Sequence, residues 1–91
     1  MIPGGTVHVP DRRLFMMRPE IDARATGTKI WMLREEHGLT VEKLSGLLGL
    51  AGPRTLYKWR NGEALPTLKN LIVLAEIFQT SVDSMIVTRA A

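Results

Sequence analysis

The residues best suited to chemistry lie in one short run, RTLYKWRNGEALP over 54–66, which carries Arg54, Lys58 and Arg60 together with Tyr57 and Trp59. No Asp or Glu occurs between Glu42 and Glu63, so the field over this run is positive and uninterrupted. Residues four apart on a helix share a face, which sets Arg54 beside Lys58. Both side chains can donate to O6 and N7 of guanine in a DNA major groove, and they are the proposed base readers. Thr55 can meet a thymine methyl or a phosphate. Tyr57, Arg60 and Asn61 suit backbone contacts, which fix orientation without reading sequence. Leu56 and Trp59, at i and i+3, form the apolar underside. A basic helix face in isolation is usually only solvated surface, so the surrounding elements have to give it a direction.

Other chemistries find no constellation. His8 and His37 are isolated from any second metal ligand, and the absence of cysteine removes thiolate ligands, thiol nucleophiles and disulfides. Glu35 and Glu36 are adjacent, hence about 100° apart on a helix, and no nucleophile accompanies them. Gly4 and Gly5 lack the strand and the Lys-Ser/Thr of a phosphate loop. An enzyme, a metal or a cofactor is therefore not expected. Ninety-one residues make one domain at most. The chain is 45% hydrophobic with two Trp, one Tyr and two Phe, which predicts a small helical core of aliphatic residues. Net charge is +3, too mild to specify a nucleic-acid partner by itself. The longest apolar run, LIVLA at 71–75, falls far short of the ~20 residues of a membrane span. The polar, proline-rich start MIPGGTVHVPDRR is unlike a signal peptide, and a cytoplasmic location is expected.

Residues 1–21 hold three of the five prolines and read as an extended N-terminal arm before a domain over 22–91. Leu14 to Met17 form an apolar island within the arm, suited to a short strand or to docking on the domain. Helix 1 starts at Asp22 or Thr26, buries Ile30 and Leu33, and ends at His37-Gly38. Thr40 caps helix 2, whose Val41, Leu44, Leu47 and Leu48 face inward, and Gly49 closes it. Pro53 suits the first position of helix 3, which runs to about Asn61, with Gly62 supplying a left-handed end. Thr67 caps helix 4, the expected central helix, with Leu68, Leu71, Ile72, Ala75 and Phe78 in one stripe and Val73, Leu74 and Ile77 on its other sides. Ser81 caps a short helix 5 with Val82, Met85 and Ile86, which frays into TRAA. No strand is expected beyond the arm.

Helices 2 and 3, short and joined by a glycine-containing connector, have the layout of a helix-turn-helix. In that docking mode the first turn of the second helix reaches base edges. Free N–H groups at the starts of helices 2 and 3, together with Thr40, can also meet phosphates. From Ala25 to about Val87, the segments LREEHGLT, YKWRNG and LPTLKNLIVLAEIF occur in the order found in the Cro and phage-repressor (XRE-like) type of helix-turn-helix regulators, which this chain resembles. The resemblance implies an all-α, five-helix, lambda-repressor-like domain that binds double-stranded DNA as a homodimer on a paired operator. It sets Arg54 and Lys58 where family members commonly read bases, and Asn61 where the main chain often meets phosphate. Three features depart from the pattern: Val41 replaces a Gln often used on the DNA backbone, the GLAGP connector is about one residue long, and Pro53 stands where a polar base reader is common. Trp31 and Met32 occupy often-charged helix 1 positions and need an apolar partner, for which Leu14 to Met17 are nearest. The rival expectation is a protein-interaction module, antitoxin-like or adaptor, that uses the arm, Trp31 and helix 5 on a protein partner. For the dimer, helix 5 and the arm residues Leu14 and Phe15 are the expected contacts.

Overall fold

In the computed structural model, which describes residues 19–90, a strand β1 (Pro19–Ile21) leads into helices α1 (Ala23–Glu36), α2 (Val41–Leu47), α3 (Arg54–Arg60), α4 (Leu68–Phe78) and α5 (Val82–Met85), and the chain returns in strand β2 (Thr88–Ala90). Leu14 to Met17 lie outside the described residues. None of the described helices is long and apolar enough to cross a membrane.

The helix starts follow from side-chain capping, which satisfies backbone N–H groups that have no partner inside the helix. Asp22 accepts from Ala25 N–H at 2.9 Å, Thr40 from Lys43 N–H at 3.0 Å, Thr67 from Asn70 N–H at 3.2 Å and Ser81 from Ser84 N–H at 3.1 Å. Pro53 is the residue just before α3 rather than its first position, and it offers no side-chain cap. Its carbonyl instead accepts from Leu56 and Tyr57 N–H. At the other end Gly62 has a φ of +75°, a conformation that costs glycine nothing and ends the helix.

The core gathers Ile30, Val41, Leu44, Leu56, Trp59, Leu71, Leu74, Phe78 and Met85, at least one residue from every helix. Leu74, on no expected stripe, is fully buried, whereas Leu68 and Ile72 are 68% and 56% exposed. The inward face of α4 is thus Leu71, Leu74 and Phe78, and Leu68 and Ile72 occupy an adjoining face. An apolar helix leaves its rotation undetermined by pattern alone, and packing against α5 and the first three helices selects it. Leu47 is likewise exposed, against the expectation that it faces inward.

The expected fraying after α5 does not occur. Thr88 to Ala90 pair antiparallel with Pro19 to Ile21, in the register Pro19 with Ala90, Glu20 with Arg89 and Ile21 with Thr88. The fastening point is Val87. Its N–H donates to Thr26 Oγ1 at 2.9 Å, and its carbonyl accepts from Asp22 N–H at 2.7 Å. Thr26 is buried, so its hydroxyl is spent on this tie.

α1 packs most extensively on α3. The approach is close enough that a Cβ on Gly27 would stand 1.8 Å from the Trp59 carbonyl oxygen. Gly27→Ala is expected to lower unfolding free energy by about 3 kcal/mol or more, because backbone rather than a flexible side chain blocks the methyl. Urea denaturation followed by far-UV circular dichroism reads this directly; a change below about 0.5 kcal/mol, the range of neutral surface substitutions, would contradict the packing.

Candidate functional site

α2 and α3 each have seven residues and are separated by the turn from Leu48 to Pro53. α2 anchors through Val41, Leu44 and Ser45, all buried, and leaves Glu42 and Lys43 outward. α3 divides along its length. Leu56 and Trp59 are 2% and 3% exposed, while Arg54, Tyr57, Lys58 and Arg60 are exposed. Thr55 is half-buried on one flank and Asn61, the residue that ends the helix, is exposed. Thr40 stands apart from this group, at the start of α2, with its hydroxyl oxygen accepting from Lys43 N–H. Six of the seven expected site residues thus share α3 and its end, and Thr40 belongs to the partner helix.

The electrostatics of α3 follow from what is missing around it. Among the described residues the ion pairs are Arg34 with Glu35 and Arg89 with Glu20, so Arg54, Lys58 and Arg60 pair with no carboxylate there. The connector and α3 also contain no acid, as the sequence requires. An exposed helix whose cations form no ion pair among the described residues, and which itself carries no acid, attracts polyanions at long range.

Trp31, expected to need a partner, finds several within the domain. Within the described residues its ring lies 5.4 Å from that of Tyr57, centroid to centroid, while Leu14 to Met17, the partner expected from the sequence, lie outside them. The Arg34 guanidinium lies 4.4 Å from the Trp31 centroid and that of Arg60 lies 5.1 Å from it. Cations are drawn to the electron-rich face of an indole, so Trp31 fixes the flank of α3 that carries Tyr57 and Arg60. Arg34 is itself held, with Nη1 donating to the Leu39 carbonyl. Met32, paired with Trp31 in the sequence reading, remains exposed. In α5, Met85 is fully buried, and Val82 and Ile86 pack on the core while remaining half-buried.

The residues that pattern reasoning passes over are on α1. Arg24 and Thr28, one turn apart, face Arg60 and Asn61 across a cleft that Trp31 and Met32 also line. Their spacing of four is visible in the sequence, but only the crossing of α1 over α3 gives that face an opposite wall.

Comparison with known proteins agrees with this geometry. The helix-turn-helix family HTH_3 matches residues 32–85. A curated protein of Pyrococcus horikoshii, named as a candidate HTH-type transcriptional regulatory protein, is 36% identical over 55 residues, which cover 60% of this chain and 17% of that protein. The chain therefore spans about a sixth of the length of this curated relative. A transcriptional regulator from Listeria innocua superimposes with a TM-score of 0.62 at 31% identity, over 67% of this chain and 56% of that one. The fold also recurs inside the larger FeII HppE, with a TM-score of 0.64 at 27% identity, over 72% of this chain and 35% of that one. The fold is the all-α, five-helix, lambda-repressor-like arrangement that the resemblance implies.

The two faces of α3 are expected to respond differently to truncation. Trp59→Ala should cost about 3–5 kcal/mol of stability, and Lys58→Ala should stay within about 0.5 kcal/mol of the parent. Chemical denaturation of the two variants checks the division, and equal effects would refute it.

Proposed function

This chain belongs to the helix-turn-helix family HTH_3, and from that premise we propose that it is a sequence-specific, double-stranded-DNA-binding transcriptional regulator that works in the cytoplasm as a homodimer. The observation that carries the reading is the division of α3 into a buried underside of Leu56 and Trp59 and an exposed, acid-free face of Arg54, Tyr57, Lys58 and Arg60. In this reading the face enters the major groove. Arg54, in the first turn, and Lys58, one turn later, donate to guanine edges. Thr55, half-buried, contributes at the flank. Tyr57, Arg60 and Asn61 contact phosphates and set the register, and Thr40 adds a hydroxyl donor at the start of α2. The cap bond is compatible with this, since a hydroxyl that accepts from Lys43 N–H keeps its own proton to donate.

A single seven-residue helix meets few bases, and pairing about a two-fold axis sets two such helices roughly 34 Å apart, one turn of DNA. Among the described residues, three exposed apolar side chains lie together on the loop before α4 and on α4 itself, Leu65, Leu68 and Ile72, and this reading assigns the pairing surface to them. Exposed apolar side chains grouped on one element mark association surfaces more often than scattered ones do.

Two experiments test this reading. A selection from randomised duplexes should return a palindromic site, and Arg54→Ala should flatten the preference at one position per half-site by about 1–3 kcal/mol. Equal affinity for random and selected duplexes, unchanged by Arg54→Ala, would overturn the regulator reading. Separately, Ile72→Glu should convert a dimer to a monomer in sedimentation equilibrium without lowering the melting temperature by more than a few degrees. An unchanged mass would remove α4 from the interface.

A further inference from the structure

The cleft between α1 and the end of α3 combines hydrogen-bond donors with a lining free of carboxylates. Arg24, Thr28, Trp31, Met32, Arg60 and Asn61 enclose about 390 Å³. We propose that this cleft is a phosphodiester-binding subsite that carries the DNA interface beyond α3 onto α1, with Arg24 and Arg60 as its cations and Thr28 and Asn61 as its neutral donors. The proposal rests on the DNA-binding reading above and adds two residues to it, Arg24 and Thr28, from outside the helix-turn-helix.

Four observations support the assignment. Neither Arg24 nor Arg60 forms an ion pair among the described residues, where the pairs are Arg34 with Glu35 and Arg89 with Glu20. The acid nearest to Arg24 in the chain, Asp22 at the cap of α1, is not among the residues that line the cleft, and its carboxylate accepts from Ala25 N–H at 2.9 Å. Arg24 and Thr28 lie in the first two turns of a 14-residue helix, whose N-terminal end carries the positive pole of the peptide dipoles. Finally, the walls are rigidly related. Gly62, immediately after Asn61, would press a Cβ to within 3.1 Å of Arg24 Cα, so the end of α3 sits directly on the start of α1.

Trp31 makes the donor set usable. The Arg60 guanidinium lies over its ring at 5.1 Å, and stacking occupies the flat face of a guanidinium while leaving its N–H edge available for a phosphate oxygen. Arg34, the other cation on that ring, is not part of the subsite, because its Nη1 is already committed to the Leu39 carbonyl. The cleft lies about 9 Å along the axis from Arg54, six residues at ~1.5 Å each. Base reading at one end of α3 and a backbone clamp at the other would fix both the depth and the tilt of the helix in the groove.

The test uses the full chain and the duplex returned by selection, with affinity measured across a series of salt concentrations. Arg24→Ala is expected to weaken binding about tenfold and to reduce the slope of log affinity against log salt by about 0.9, the share of one phosphate contact. The ratio of affinities for selected and random duplexes should not move, since no base is read there. Arg24→Lys should recover most of the slope, which a purely structural role for Arg24 would not require. Thr28→Val, close in shape to the parent, should weaken binding a few-fold with unchanged melting. If the parent binds the duplex and Arg24→Ala keeps its affinity and slope, the subsite is wrong and the regulator reading stands. If the parent binds no duplex at any salt, the regulator reading fails and the subsite fails with it.

Discussion

The contact on which this molecule turns is between two stretches of backbone. α1 crosses α3 at Gly27, whose missing side chain lets the helix rest against the Trp59 carbonyl. Gly62 repeats the device one turn later, taking a left-handed conformation that only glycine adopts freely and leaving room for the backbone of Arg24. Any larger residue at either place would lift α1 away. Three consequences follow from the closeness: Trp59 is sealed into the core, Trp31 reaches the flank of α3, and Arg24 with Thr28 meets Arg60 and Asn61. The exposed face of α3 is stiff because its opposite side cannot retreat.

The same helix also organises the ends of the described chain. Asp22 caps α1 with its carboxylate and donates its own N–H to the Val87 carbonyl, while the buried Thr26 hydroxyl takes the Val87 N–H. One turn of α1 thus satisfies both polar groups of a residue 61 positions away. Buried backbone groups must find such partners, and here they do so without a wide sheet. The two-stranded ribbon that continues beyond Val87 is solvent-exposed on both sides, so its pairing extends this anchor rather than replacing it.

Much of this was legible in the residues. Asp22, Thr40, Thr67 and Ser81 stand immediately before their helices because a short side-chain oxygen there answers an unpaired N–H, and that logic is local. The inward pair of Leu56 and Trp59 follows from a spacing of three. What was not legible is relational. The apolar sequence LIVLA fits several rotations of α4, and only the assembled core distinguishes a buried Leu74 from an exposed Ile72. Thr88 to Ala90 carry no strand signal, and they become a strand because Thr26 and Asp22 deliver them beside Pro19 to Ile21. Trp31 looks like an unpartnered apolar residue in one dimension. Its partners are a tyrosine and two arginines, of which Tyr57 and Arg60 are about 26 to 29 residues on, and no pattern along α1 announces them.

The antiparallel register of the ribbon, Pro19 opposite Ala90, sets the incoming and outgoing chain side by side at a single edge. A domain wired in this way can sit within a longer polypeptide like a bead tied on by one knot, since a host would have to bridge only the few ångströms between adjacent strands, roughly 5 Å. Grafting it into a surface loop of another protein asks for no long linker, and a pull on both ends together would peel the ribbon apart before it reached the contact between α1 and α3.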